Sequence, residues 1–299
     1  MIDRIGCELF GRYFVGGFNI DEVLKKGAEL KRKGYKLTYN LLGEHQDGLE
    51  TTWNAVQTTK ALISSMDENN KGNVAIKPTL YGLESSKWLF RQSMEVVMDW
   101  AKEAGIELEF DAEAYKYVED TFSVFSDMSS KFHYRGFVRQ CVQAHLADIY
   151  DLMDKYNLWD KHLRAVEGSG VYGELMGRVI TDPVEILERY CYIVRRNHIE
   201  GQVPYVATVC DRKKANAAKK ILPSPHMLEF QMLYGPFGRR LGKELLNEGW
   251  QVRIYIPFVV NWCKDAWKDY GLRRSAMMRR LILREAKYKL RRWQNAKND

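Results

Sequence analysis

The 299-residue chain has no HExxH pair, and its six histidines show no metal-ligand spacing, so no zinc or iron motif is legible. Its glycines form no Walker loop, which removes the usual P-loop signal. The five cysteines (Cys7, Cys141, Cys191, Cys210 and Cys263) form no CxxC, and one stays unpaired in any disulfide scheme. A charged segment followed by an apolar one does not open the sequence, so a reducing cytoplasm is the expected location. The longest uncharged run near the end, Ile254 to Cys263, is too short to span a bilayer. No linker rich in Pro, Gly or Ser interrupts the chain, and one domain over residues 1–299 is expected.

What is present is core. Hydrophobic residues make up 45% of the chain and aromatics 12%, ample for one large α/β domain. The net charge of +7 comes from 46 basic and 39 acidic residues, a mixed surface. Much of the excess sits in Arg279-Arg280, Arg284, Lys287, Lys289 and Arg291-Arg292. No nucleic-acid-binding motif accompanies that charge, so a nucleic-acid partner is not expected. With apolar residues between the basic ones, 272–293 reads as an amphipathic helix that covers the rest of the protein or makes peripheral membrane contact.

Short apolar runs alternate with longer amphipathic ones. Strands are predicted at Lys36–Leu42, Asn73–Lys77, Ile106–Asp111, Gly136–Gln143, Leu163–Val166, Pro204–Val209, Leu228–Leu233 and Gln251–Ile256. Helices are predicted at Asp21–Lys33, Leu49–Met66, Ser85–Ala104, Leu146–Asn157, Pro183–Asn197, Lys213–Lys220 and Pro236–Asn247. Within Ser85–Ala104 the stripe Trp88, Leu89, Met94, Val97, Met98 and Ala101 reads as packing. The alternation points to a (β/α)8 TIM-type barrel, with a doubly wound sheet as the other reading of the same pattern. Residues 1–34 are expected to form an N-terminal helical arm.

A barrel places function at the C-terminal ends of its strands. Glu44, Lys77, Asp111, Glu113, Gln143 and Tyr255 end or close predicted strands and Arg164 lies within the fifth, and together they outweigh a reading of scattered structural ion pairs. Further on, Tyr270-Gly-Leu-Arg273-Arg274 opens a basic helix. Positions i, i+3 and i+4 share one helical face, so the phenol and both guanidiniums can meet one planar carboxylate.

These segments, in this order, resemble the proline dehydrogenase family, which includes the flavin-dependent barrel of PutA proteins. The resemblance is carried by Leu42-Gly-Glu44, Ala75-Ile-Lys77-Pro-Thr79, Phe110-Asp-Ala-Glu113 and Val142-Gln143-Ala-His-Leu146. It continues through Leu163-Arg164-Ala-Val166, Ala207-Thr208, Glu229-Phe-Gln-Met-Leu-Tyr-Gly235, Ile254-Tyr255-Ile-Pro257 and the Tyr270–Arg274 segment. It implies a final helix, within 270–299, that caps the barrel mouth. Arg273 and Arg274 would clamp the substrate carboxylate; Lys77, Asp111, Tyr255, Tyr270 and Leu233 would line the amino-acid pocket; Glu44 would pair with Arg273. On the cofactor side, Gln143 would meet the flavin ring and Arg164 its N5, with Val166, Gly168 and Thr208 nearby. The implied activity is oxidation of L-proline to 1-pyrroline-5-carboxylate by hydride transfer to FAD. A quinone or another acceptor would take the electrons, and a pyrroline-5-carboxylate dehydrogenase would be a partner.

Several positions depart from the family pattern. Where Arg-Leu-Val-Lys-Gly-Ala-Tyr-Trp is usual, this chain has Arg164-Ala-Val-Glu167-Gly168-Ser-Gly-Val171. Ala-Thr-His-Asn is here Ala207-Thr208-Val209-Cys210, and the glutamate usual after the double arginine is Met277. The changes gather where the cofactor tail would lie, so FMN or a differently held FAD is the alternative to ordinary FAD. Hydroxyproline or another amino acid is an alternative substrate, and a degenerate, non-catalytic barrel that binds a carboxylate or a partner is the alternative to an enzyme.

Overall fold

A computed structural model describes residues 13–271, apart from 44–47, 132–133, 169–177 and 209. Eight parallel strands follow one another around a closed barrel: β1 (Lys36–Leu41), β2 (Asn73–Ile76), β3 (Leu108–Phe110), β4 (Val138–Gln143), β5 (Leu163–Val166), β6 (Tyr205–Ala207), β7 (Glu229–Leu233) and β8 (Gln251–Phe258). The ring closes where β8 pairs with β1, Thr38 opposite Tyr255 and Asn40 opposite Pro257. Every predicted strand is present, trimmed or extended by a few residues.

Helices alternate with the strands: α1 (Ile20–Lys31), α2 (Leu49–Ser64), α3 (Lys87–Glu103), α4 (Val118–Ser130), α5 (Ile149–Lys155), α6 (Pro183–Ile199), α7 (Arg212–Ile221) and α8 (Pro236–Asn247). Helix α1 starts at an Asn19 cap whose side chain accepts the Glu22 amide at 2.8 Å, while Glu22 reaches back to the Phe18 amide. It packs against β1 and β8. Gly27 permits that contact, because a Cβ there would sit 1.9 Å from the Tyr39 hydroxyl.

Two details differ from the sequence reading. Helix α4 was not among the predicted helices; its four serines and one threonine are weak helix formers, and burial of Phe122, Val124, Phe125 and Met128 overrides them. The α3 stripe also begins later than expected: Met94, Val97, Met98 and Ala101 are buried with Phe90, whereas Trp88 is 69% exposed.

Strand residues alternate between an apolar shell facing the helices and an unusually polar barrel interior. Val252, Ile254 and Ile256 are buried in the hydrophobic core, while Arg253 and Tyr255 hydrogen-bond across the interior. At the floor, Glu107 accepts from Arg139 (3.1 Å), Asn73 (2.8 Å) and Tyr205 (3.1 Å), and His162 lies 2.9 Å away. Arg253 binds Glu229 at 2.5 Å and donates to the Tyr205 hydroxyl, and Arg139 stacks 3.3 Å from the Tyr205 ring centroid. Burial raises the Glu107 carboxyl, but Arg139 and His162 outweigh it and bring it down to about 2.

Among the described residues, no helix is long and apolar enough to cross a membrane. No group of three or more His, Cys, Asp or Glu among them is arranged to hold a metal ion.

Candidate active site

Strand β3 supplies the central charge. Glu107, Glu109 and Asp111 recur at every second position, so they point to one side and line the barrel from floor to mouth. Asp111 follows the strand's last residue, its amide bound to the Ile76 carbonyl at 2.8 Å. Its Oδ2 accepts from Lys77 Nζ at 2.9 Å and from the Tyr255 hydroxyl at 2.5 Å, while Oδ1 takes Arg164 Nη2. Four strands therefore converge on one carboxylate: β2 through Lys77, β5 through Arg164, β8 through Tyr255 and β3 itself.

All four groups are more than nine-tenths buried. Burial pushes the Asp111 carboxyl up, but the Lys77 and Arg164 charges and the hydrogen bonds from Tyr255 and Arg164 hold it well below the usual carboxylate range. For Tyr255, burial and the neighbouring Asp111 charge act together and raise the phenol far above its ordinary value. At neutral pH the cluster is thus an ionised carboxylate and a protonated phenol.

One layer down, Glu109 underpins the site. It accepts from Thr38 (2.6 Å), Gln231 (2.8 Å) and Asn73 (3.0 Å), and its Oε2 lies 3.2 Å from Arg164 Nη1. Arg164 is therefore bracketed by two carboxylates, yet its Nε is buried with no acceptor among the described residues. Sequence reasoning did not single out Glu109 or Gln231. The signal was present: Glu109 is two residues before Asp111, on the same face.

The other predicted residues are placed as follows. Glu113 accepts both the amide and the hydroxyl of Thr79 at 2.7 Å, tying the end of β3 to the turn after β2, which is a structural role. Tyr270 is buried, and Leu233 is half-buried at the end of β7. Gln143, at the end of β4, is buried with its side-chain amide unbonded to the described residues. Val166, the last residue of β5, and Gly168 just beyond it are half-buried, and Thr208 is buried with its hydroxyl 3.1 Å from Met232 Sδ. Glu44, Arg273 and Arg274, like Met277, lie outside the described residues.

Beyond β5 the chain turns at Gly168, whose φ of +103° suits glycine. A Cβ there would lie 1.5 Å from Nδ1 of His145, which follows β4. The His145 ring is 4% exposed, and neither ring nitrogen has a hydrogen-bond partner among the described residues. Burial lowers its affinity for a proton. Glu167 forms an ion pair with Lys214 of α7, so the acid that replaces the family's lysine carries its own counter-ion. Cys210 takes φ 63°, the left-handed region that favours asparagine, the residue usual in the family pattern there.

Comparison with known proteins agrees with this architecture. A family model described as proline dehydrogenase matches residues 23–166. Proline dehydrogenase 1 of Bacillus subtilis (strain 168) is 27% identical over 276 residues, covering 91% of this chain and 87% of the relative. Proline dehydrogenase of Deinococcus radiodurans is 28% identical over 258 residues, covering 83% and 81%. Among solved structures, proline utilization A (PutA) from Bdellovibrio bacteriovorus, inactivated by N-propargylglycine, superposes with a TM-score of 0.75 at 20% identity. That likeness covers 89% of this chain, which spans about a third (32%) of the PutA chain.

Proposed function

We propose, from the premise that this chain belongs to the proline dehydrogenase family, that it oxidises L-proline to 1-pyrroline-5-carboxylate with a bound flavin. The observation that carries this reading is the buried cluster in which Lys77, Arg164 and Tyr255 meet on ionised Asp111 at the barrel mouth.

The donors present fit a flavin. Among the described residues, Arg164 Nε is buried without an acceptor, and the Gln143 amide is unbonded at the end of the neighbouring strand. These are donors for the heteroatoms of a flat polar ring, and their cost in a dry interior is offset once such a ring accepts from them. When bound, the flavin supplies the electron sink, taking up a hydride from the ring carbon next to the substrate nitrogen. We assign FAD as that flavin, with Val166, Gly168 and Thr208 beside it.

The chain's own residues position and hold charge. Arg273 and Arg274 clamp the substrate carboxylate, and Glu44 pairs with Arg273 as the site closes. Lys77, Tyr255, Tyr270 and Leu233 shape the amino-acid pocket and exclude water. Arg164 stays cationic between Glu109 and Asp111 and favours the negative charge that builds up on electron transfer. Asp111 is too weak a base, and Tyr255 too weak an acid, to relay a proton at neutral pH. Those two groups therefore hold charge and orient the substrate rather than carry its proton. Electrons then pass to a quinone or another acceptor. Residues 1–34 and 270–299 are assigned as arm and cap of the same domain.

The test is a visible spectrum of the purified protein followed by anaerobic L-proline. A yellow protein that bleaches supports the reading. Bleaching only with hydroxyproline or another amino acid would move the substrate assignment, and a colourless protein that cannot be reconstituted would remove the flavin. Chromatography of the released flavin separates FAD from FMN.

A further inference from the structure

The second charged cluster at the barrel mouth, between the ends of β4, β5 and β6, has no part in the chemistry above. Lys214 lies in the first turn of α7, a helix whose first turn contains no acidic residue. A cation is disfavoured at a helix N-terminus, and a buried ammonium is disfavoured anywhere without full pairing. Yet the Lys214 side chain is only 8% exposed, and its one acceptor among the described residues is Glu167. An ammonium has three N–H donors, so two are left over.

The surroundings point the same way. Glu167 follows the last residue of β5 and is 33% exposed, so the pair faces the mouth with its acid outermost. Next to it stands Gly168, against which the buried His145 ring lies with both nitrogens unpartnered among the described residues. The helix end itself is less available, because Asp211 caps it by accepting the Lys213 amide at 2.9 Å. The spare donors are therefore side chains, Lys214 first and His145 beside it.

We infer that Lys214 is the cation that meets a phosphate of the flavin tail, Glu167 holding its ammonium in place until the anion arrives. The inference rests on the flavoenzyme reading. In effect the tail's positive charge has moved from the segment after β5 to helix α7, and the acid at Glu167 becomes a placeholder.

The test compares binding of FAD, FMN and riboflavin, followed by flavin fluorescence, because riboflavin lacks the phosphate. Lys214→Met should weaken FAD and FMN by about 10- to 100-fold, the size of one charge-assisted hydrogen bond. Riboflavin affinity should stay within about twofold, and Glu167→Gln should leave FMN binding intact or tighter, since the competing acid is gone. A thermal melt confirms that each variant is folded, and Lys214→Arg should retain most of the FMN affinity. Unchanged FAD and FMN binding by Lys214→Met, or an equal loss for all three flavins, overturns the inference. A wild-type protein that binds none of the three instead overturns the flavoenzyme reading, before any variant is made.

Discussion

The two sides of the barrel mouth are built on opposite principles. On the side where β2, β3 and β8 meet Arg164 of β5, Asp111 is already matched by Lys77, Arg164 and Tyr255. On the other side, formed by β4, β6 and the segment after β5, Lys214 has spare donors and both His145 nitrogens are unpartnered among the described residues, and Cys210 sits in a left-handed conformation. The first side has its charges matched without a ligand, with Arg164 Nε alone left over among the cluster's described donors, as preorganised electrostatics requires. The second is unfinished, which is what a surface that takes a ligand's polar tail looks like. The family-model match ends at Val166, just before Glu167, where the first side's pattern gives way to the second's.

The comparison breaks most visibly at Asp111. Asp111→Asn would keep the shape but leave Lys77 and Arg164 as two buried cations without their shared carboxylate. We expect proline turnover (kcat/KM) to fall by about 100- to 1000-fold while flavin binding changes little. Loss of flavin with turnover unchanged would reverse the roles of the two sides.

Next in size is the floor, which serves both sides. Glu107 is ordinarily a carboxyl of pKa 4.5 and is held down to about 2 in the folded protein. A group depressed on folding stabilises above its unfolded value and loses that contribution as pH falls through the folded one. Part of the acid unfolding between pH 4.5 and about 2 should therefore belong to Glu107. Glu107→Gln should flatten that limb in an acid titration followed by circular dichroism. At neutral pH it should destabilise by roughly 3 kcal/mol, because the buried Arg139 loses its counter-charge.

How much of this was legible in the sequence follows the same division. The eight strands were, because each is a short apolar run bounded by polar residues, and so were Lys77, Asp111 and Tyr255, which sit where those runs end. Glu109 was missed although its spacing from Asp111 gave it away. The Arg164–Asp111 contact joins residues 53 apart in sequence, and Lys214–Glu167 residues 47 apart. No local pattern reports such pairs, since they depend on how β5 closes next to β4 and how α7 docks. Helix α4 was hidden for a different reason: its serines argue against a helix, and only tertiary burial decides for one.

A smaller effect separates the two sides at Gly168. Gly168→Ala would force a methyl into the His145 ring at an unfavourable φ, a loss of about 1–3 kcal/mol by thermal melt. The accompanying loss should be in flavin retention rather than in KM for proline. Adding His145→Ala should recover the part due to collision and leave the part due to φ, which divides the two causes in one cycle.

The mildest test concerns Cys210, the β-carbon-bearing residue that holds φ 63° after β6. The left-handed region costs an ordinary residue about 1 kcal/mol, less for asparagine and least for glycine. Cys210→Asn should therefore stabilise by roughly 0.5 kcal/mol, a rise of a degree or two in melting temperature. Cys210→Gly separates backbone relief from side-chain fit, because it needs no room beside Gly238, where a Cβ would already lie 3.4 Å from the sulfur. Gly also widens the unfolded ensemble, so its gain should be smaller than that of Asn if the asparagine side chain fits. Neither change should alter proline turnover, since no member of the Asp111 cluster is touched. A drop in stability for both would mean that the sulfur's packing outweighs the strain, and that this side of the mouth is less unfinished than its backbone suggests.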